Sequence, residues 1–141
     1  MNIPVTKPTK QSEIVRSWRL IDVDGQILGR SATKIAELLM GKSKPYFAKN
    51  LDCGDYVVVI NSSKVKTTGN KEDLKTYTRY SGYPGGLRRE TLKELTARKP
   101  EEVIRHAVSG MLPKNKLREK MLTRLYIFSG AEHKYMDKIK D

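Results

Sequence analysis

The sequence predicts a single α/β domain with a mainly parallel sheet. Three observations lead to this fold class: a strand, a helix and a second strand follow one another between residues 18 and 60, the second strand is an uninterrupted apolar run, and no internal repeat marks another unit. Sequential parallel strands are joined by a right-handed crossover, so the first helix is expected to connect two parallel strands. A length of 141 residues suits one compact core.

The strand–helix–strand unit comes first. Residues 18–23 (WRLIDV) predict a strand that ends at the turn signal Asp24–Gly25. A helix over residues 30–40 is predicted from apolar residues at helical spacing, which are Ala32, Ile35, Ala36 and Leu39. Gly41 stands where a helix commonly stops. Residues 56–60 (YVVVI) predict a strand that is covered on both faces.

The elements of the second half are shorter. Residues 76–80 could form a polar edge strand, and Thr91 with Glu94 has the spacing of a capping box at the start of a short helix. Pro100 suits the first position of a further helix, which is expected to stop near Gly110. The last predicted elements are a basic helix over 113–122 and a short apolar strand over 125–128.

The charge balance points to a polyanionic partner. Lysine and arginine number 28 against 16 acidic residues, for a net charge of +12, and repulsion on this scale favours neutralisation by a partner. A basic arm over residues 1–16 and a charged tail over 131–141 flank the core. No apolar run reaches the roughly 18 residues of a membrane span, and residues 1–10 lack the apolar middle of a secretory signal, so no membrane partner is expected. Nucleic acid is the favoured partner.

Known nucleotide-binding motifs are incomplete here. Residues 24–30 (DGQILGR) contain two glycines, but no third glycine completes a dinucleotide-binding pattern. Residues 41–43 (GKS) follow a predicted helix, whereas a phosphate-binding P-loop must precede one. A small nucleotide-dependent enzyme would need such a turn, so this alternative is disfavoured.

The residues that commonly carry catalysis or bind metals are also sparse. Cys53 is the only cysteine and has no histidine near it in sequence, and His106 has no second histidine at ligand spacing. Four aspartates near predicted strand ends could in principle form a paired-carboxylate site, although turn capping is the favoured interpretation; they are Asp22, Asp24, Asp52 and Asp55. We therefore expect no catalytic residue, no metal, no cofactor and no small-molecule substrate.

Residues 62–99 form a basic segment that contains glycines and tyrosines and suits RNA. Its ten basic residues outnumber its four acidic ones. Lysine and arginine replace counterions along phosphates, glycines let backbone amides approach closely, and tyrosines can stack on unpaired bases. The candidates are Lys64, Lys66, Lys71, Lys75, Arg79, Arg88 and Arg89, with Tyr77, Tyr80 and Tyr83. A solvated charge is an equal alternative for any single lysine, and packing on the core is an equal alternative for the tyrosines.

A second basic group follows Pro113. It comprises Lys114, Lys116, Arg118, Lys120 and Arg124, which do not all share one helix face. Lys114 and Asn115 rank first among them, because they lie at a predicted helix start where backbone N–H groups favour phosphate.

Six segments together resemble a known family. They are WRLIDVDGQILGR (18–30), LMGKSKP (39–45), DCGDYVVVIN (52–61), TGNK (68–71), YSGYPGGL (80–87) and HAVSGMLPKN (106–115). With these segments the sequence resembles the bacterial ribosomal protein L-thirteen family nearly from end to end. It departs from the family pattern at Tyr80, usually histidine, at Cys53, usually threonine, and at residues 133–135 (HKY), usually His-Pro-His.

The resemblance implies a three-layer α/β/α fold with about four sheet strands. It also implies that the protein binds large-subunit ribosomal RNA early in subunit assembly. It also implies contact with neighbouring ribosomal proteins. The RNA contacts implied by the matching motifs are Arg30, Lys42, Lys44, Lys64, Lys66, Lys71, Ser81, Gly82, Tyr83, Gly85, Gly86, Lys114 and Asn115. The residue pattern itself adds Tyr77, Arg79, Arg88, Arg89 and Arg118 to the expected RNA-binding set.

We therefore predict a structural constituent of the large ribosomal subunit that supports subunit assembly and translation. A cytoplasmic ribosome is expected, and an organellar one is left open. A regulatory protein that binds messenger RNA away from the ribosome would use the same chemistry and stays an alternative.

Overall fold

The computed structural model describes residues 8–139 and contains five strands and five α-helices within that range. The strands are β1 (Trp18–Asp22), β2 (Tyr56–Ile60), β3 (Thr76–Tyr80), β4 (Leu87–Thr91) and β5 (Leu125–Ile127). The helices are α1 (Leu28–Met40), α2 (Lys71–Leu74), α3 (Leu92–Arg98), α4 (Pro100–Met111) and α5 (Leu117–Leu122). Residues 1–7 of the predicted arm and 140–141 of the predicted tail lie outside the described residues.

The main sheet is parallel, as predicted, with the strand order β1-β2-β5. Leu20 pairs with Val58, and Val57 pairs with Leu125. Val57, Val58 and Val59 are fully buried, which confirms that the apolar run forms a strand covered on both faces. The strand–helix–strand prediction is thereby confirmed.

The sheet has three strands among the described residues, where the resemblance implied about four. The predicted polar strand forms as β3, but it pairs antiparallel with β4 in a separate hairpin. Four of the five residues of β3 are exposed, so this strand has no apolar face to bury against the main sheet. β4 (LRRET) was not predicted from the sequence, because its consecutive charged residues hide any alternation.

Several helix ends follow the local chemistry that the sequence predicts. Gly41 ends α1 in a left-handed conformation (φ 76°) and donates its N–H to the carbonyls of Glu37 and Leu38. Thr91 and Glu94 form the predicted capping box of α3. The predicted basic helix over 113–122 is shorter than expected, because the Asn115 side chain accepts the Leu117 N–H at 3.1 Å and α5 begins there.

The helices pack on one face of the sheet. Val57 and Val59 point into the core with Leu125 and Ile127. The helical residues of this core come from α1, α3, α4 and α5 and include Ala32, Ile35, Leu39, Leu92, Leu95, Val103, Ile104, Val108 and Met121.

An aromatic cluster covers the other face of the sheet. Trp18 stacks on Tyr56 with 4.5 Å between ring centroids, and its centroid lies 5.7 Å from that of Tyr126 and 5.0 Å from that of Tyr135. The Lys138 ammonium lies 5.1 Å from the centre of the Trp18 ring. Aromatic side chains and the C-terminal segment thus lie on this face of the sheet, and the predicted α/β fold class with a mainly parallel sheet is confirmed.

Candidate nucleic-acid interface

The loop between β3 and β4, residues 81–86, stands out from the protein surface. Tyr83 is 75% exposed and Tyr80 is 62% exposed. The Gly86 N–H donates to the Tyr83 carbonyl at 3.0 Å, and the Ser81 N–H donates to the Gly86 carbonyl at 3.3 Å. A side chain at Gly86 would put its Cβ 2.0 Å from the Ser81 Oγ. The loop is thus closed by its own hydrogen bonds and presents aromatic rings to solvent.

The base of the hairpin is fixed to the helices. The Tyr77 ring is half-buried and lies 5.4 Å from the His106 imidazole of α4, centroid to centroid. Arg98 of α3 donates two hydrogen bonds to the Glu90 carboxylate of β4, at 2.9 and 2.8 Å. The hydrogen bond from Arg98 lowers the pKa of Glu90. Tyr77 therefore anchors the hairpin, while the tyrosines at positions 80 and 83 extend beyond it.

The arginines of the hairpin are exposed. Arg79 and Arg88 are direct cross-strand partners, and Arg89 follows on β4. None of these three forms a salt bridge within residues 8–139. Their charges are therefore available to a partner.

Three predicted lysines lie between β2 and β3. Lys64, Lys66 and Lys71 are all exposed. The Lys64 ammonium donates to the Asp24 carboxylate at 2.9 Å, a bond that raises the pKa of the lysine. Because both partners are largely exposed, this ion pair is weak and does not prevent contact with phosphate.

Arg30 and Lys42 are exposed but not adjacent. Arg30 lies in the first turn of α1 and Lys42 follows its last residue, so the two are separated by roughly 18 Å along the helix. Lys42 also lines a groove of about 720 Å³ between β1 and α1.

Lys44, in contrast, belongs to the interior of the fold. Its ammonium donates to the carbonyls of Val15 (2.6 Å) and Cys53 (2.9 Å) and forms an ion pair with the Asp55 carboxylate. A lysine ammonium has three hydrogens, and these three acceptors occupy all of them. In this structure Lys44 joins the segment before β1 to the start of β2.

The Pro113 region is a surface loop between α4 and α5. Lys114 and Asn115 are exposed, and Arg118 is half-buried in the first turn of α5. The Asn115 side chain accepts the Leu117 N–H at 3.1 Å, so its carboxamide oxygen is engaged in a local turn just before α5.

The four aspartates do not form one site. Asp22 ends β1 and Asp24 follows it, whereas Asp52 and Asp55 precede β2, and parallel strands place these positions at opposite ends of the sheet. Asp22 accepts hydrogen bonds from the Asn61 side chain and the Asp24 N–H, both at 2.9 Å, and these bonds lower its pKa. Turn capping is confirmed for Asp22, and the structure does not bring the four aspartates together in one paired-carboxylate site.

Two further arginines lie close to the hairpin, although the sequence analysis left them out. Arg98 and Arg105 lie on the surface that faces β3 and β4. Their contribution depends on how the hairpin folds against α4, and spacing along the chain carries no signal for this arrangement.

Among residues 8–139, no group of three or more histidine, cysteine, aspartate or glutamate side chains could hold a metal ion. None of the helices in the described range is long and apolar enough to cross a membrane.

Comparisons with known proteins agree with one another. The family described as Ribosomal protein L13 matches residues 16–134. The chain is 52% identical over 128 residues to the large ribosomal subunit protein uL13 of Dehalococcoides mccartyi (strain ATCC BAA-2100), which covers 91% of this chain and 90% of that protein. It is 48% identical to the uL13 protein of Syntrophotalea carbinolica, with the same coverage. It is 52% identical to that of Clostridioides difficile (strain 630), over 88% of this chain and 87% of that protein.

Proposed function

Because the chain belongs to the ribosomal protein L13 family, we propose that it binds the large ribosomal RNA through the 81–86 loop and the basic residues around it. The chain is a structural constituent of the large ribosomal subunit and not an enzyme, and its relatives place it on the cytoplasmic ribosome. The fold holds the loop in place, and the loop and its neighbours contact RNA.

The exposure of Tyr83 carries this proposal. A tyrosine ring that is 75% exposed leaves much of its apolar surface in water, and stacking against a partner would remove that surface from water. The loop also contains two glycines with positive φ, and the adjoining strands carry exposed arginines. Stacking on an unpaired base, with phosphates held by the arginines, satisfies both the ring and the charges.

The proposed contact set consists of exposed residues, together with the half-buried Gly86 and Arg118. It comprises Arg30, Lys42, Lys64, Lys66, Lys71, Arg79, Ser81, Gly82, Tyr83, Gly85, Gly86, Arg88, Arg89, Lys114, Asn115 and Arg118. Tyr77 and Lys44 support it indirectly, the first by anchoring the hairpin and the second by holding the chain before β1. The residues of the contact set are spread over several elements, which suits a folded RNA that contacts the protein at several points.

We further propose that the chain joins the subunit early in its assembly and contacts neighbouring ribosomal proteins. A net charge of +12 favours early association with RNA, because the charge is neutralised only in the complex. Leu74, which is 77% exposed, lies next to the hairpin and offers an apolar contact for a neighbouring protein.

Cosedimentation tests the proposal. The chain should remain with large subunits after a high-salt wash, and a Tyr80→Ala/Tyr83→Ala variant should be released at lower salt. Phenylalanine at the same two positions is the matched control, because it keeps the stacking surface. Recovery of the wild-type chain on messenger RNA and not on large subunits would contradict the proposal and favour a regulatory role.

A further inference from the structure

A cleft of about 1040 Å³ lies between the β3–β4 hairpin and helix α4. Five arginines line it, namely Arg79, Arg88, Arg89, Arg98 and Arg105. We infer that this cleft binds the sugar–phosphate backbone of RNA, with Arg79, Arg88 and Arg105 as phosphate ligands. The inference rests on the proposed function and extends its contact set, which already includes Arg79 and Arg88, to Arg105 of α4.

The pairing of the two strands supports an anionic ligand. Arg79 lies directly opposite Arg88, and side chains that are paired in this way point to the same face of the hairpin. Like charges at directly opposed positions destabilise a strand pair, and a two-stranded hairpin is only marginally stable in water. A phosphate between the two guanidinium groups would turn this repulsion into attraction.

The same face is the one that meets α4. Tyr77 is two residues before Arg79 on β3, so its side chain shares that face, and its ring packs on His106 of α4. Arg105 is the preceding residue of α4 and lines the cleft from the other wall.

The carboxylates of the cleft do not neutralise these arginines. Glu90 is bound by both donors of Arg98, and Glu102 accepts from Lys99 at 3.3 Å. Arg79, Arg88 and Arg105 form no salt bridge within the described range. Three guanidinium groups that form no salt bridge within the described range therefore line the cleft beside two carboxylates that are already paired.

The chemistry of the cluster favours RNA over an acidic protein segment. Guanidinium groups bind phosphate through paired N–H donors, and repeated phosphates along one strand can occupy several arginines in succession. The cleft adjoins the loop proposed to stack on bases, so one RNA strand can contact both surfaces. An acidic peptide would match the charge but would not need the adjoining tyrosines.

Binding to deproteinised large-subunit RNA at several salt concentrations tests the inference. Each lost phosphate contact should flatten the log–log salt dependence by about 0.7 to 0.9. An Arg79→Gln/Arg105→Gln variant should therefore flatten the slope by about 1.5. A Lys34→Gln/Lys49→Gln variant loses the same charge outside the proposed contact set and should retain the wild-type slope.

The outcomes separate the two levels of proposal. A cleft variant with the wild-type slope would overturn the inference while leaving RNA binding by the protein intact. If the wild-type protein showed no salt-dependent affinity for RNA, both the inference and the proposed function would be overturned. Loss of binding to poly-glutamate with unchanged RNA binding would assign the cleft to an acidic protein segment and so contradict the inference.

Hydrogen exchange provides a readout that a merely structural arginine would not give. In the free protein, Arg79→Gln removes the opposed charges, so exchange of the β3 and β4 amides should be unchanged or slower. With RNA bound, the same amides should be less protected in the variant than in the wild type. Faster exchange in the free variant would show that Arg79 stabilises the hairpin itself and would count against the inference.

Discussion

The guanidinium group of Arg124 is buried and donates from both of its terminal nitrogens to the carboxylate of Asp52, 72 residues earlier in the chain. It also donates to the Leu39 carbonyl at 3.3 Å. One side chain thus ties the start of β5 to the segment before β2 and to the end of α1. Paired charges that are largely removed from water require each other, because either one alone would be left unsatisfied.

Arg124→Met should therefore destabilise the protein strongly. The substitution leaves Asp52 partly buried with only Arg16, at 3.5 Å, as a partner. We expect a loss of about 3 kcal/mol in the free energy of unfolding, measured by urea denaturation. Lys120→Met removes an exposed charge from the same basic group and should cost less than about 0.5 kcal/mol. Equal stability of the two variants would contradict the role assigned to Arg124.

Acid should weaken the same contact. Burial raises the pKa of Asp52, but the hydrogen bonds and charge of Arg124 and the charge of Arg16 outweigh it, so the pKa lies below its usual value of 3.8. A lowered pKa in the folded state gives stability that is complete above pH 3.8 and is lost as the pH falls through the lower folded value. The free energy of unfolding should fall in this acidic range for the wild type. The Asp52→Asn variant should be less stable at pH 7, but its free energy of unfolding should fall less than that of the wild type as the pH is lowered.

Gly54→Ala should destabilise the fold strongly. A Cβ at this position would lie 1.7 Å from the Leu39 carbonyl oxygen, which is backbone and cannot rotate away. We expect a cost of about 3 kcal/mol or more, seen as a lower Tm. Gly110→Ala is the matched control, since a Cβ there meets nothing within 4 Å and alanine favours the helix. A normal Tm for Gly54→Ala would show that α1 can move away from β2.

Tyr83→Ala should weaken RNA binding without affecting the fold. The ring is 75% exposed, so its removal should leave the urea midpoint unchanged. Loss of one base stack should cost about 1 to 3 kcal/mol of binding free energy, measured by titration with large-subunit RNA. Tyr83→Phe should bind as the wild type does. A stable variant with undiminished affinity would remove Tyr83 from the proposed interface.

Replacing Lys64, Lys66 and Lys71 together by glutamine should flatten the salt dependence of RNA binding by about two units. All three ammonium groups are exposed, and the only salt bridge among them in the described residues is the weak pair of Lys64 with Asp24. The affinity should be measured across a range of potassium chloride concentrations. An unchanged slope would mean that these lysines face solvent in the complex.

Much of the fold could be predicted because it depends on local patterns. The run of residues 56–60, the glycine at position 41 and the capping box at Thr91 each act within a few residues, and all three predictions are confirmed. β4 was missed because its pairing with β3 comes from the turn and the register, which apolar periodicity does not encode. The aromatic cover of the second sheet face was missed for a similar reason, since Trp18 and Tyr135 lie at opposite ends of the chain.

The candidate site shows the same division. Composition predicts that residues 62–99 carry excess positive charge, but it does not tell which charges are already used. Lys44 and Arg124 look like surface cations in the sequence, yet both are committed to internal carboxylates and carbonyls. Partners distant in sequence decide whether a cation is free, so only the folded structure separates these two from Arg79 and Arg88.

The contact between Trp18 and Tyr135 has a consequence for biosynthesis. The ribosome makes the chain from its N-terminus, so β1 and β2 emerge long before β5 and the residues that cover the tryptophan. Until then β2 has an open edge on the side that β5 will occupy, and the indole lacks its C-terminal neighbours. Premature termination after β2 would thus release a fragment with an unpaired strand edge, which would be prone to aggregate with other copies of the same fragment.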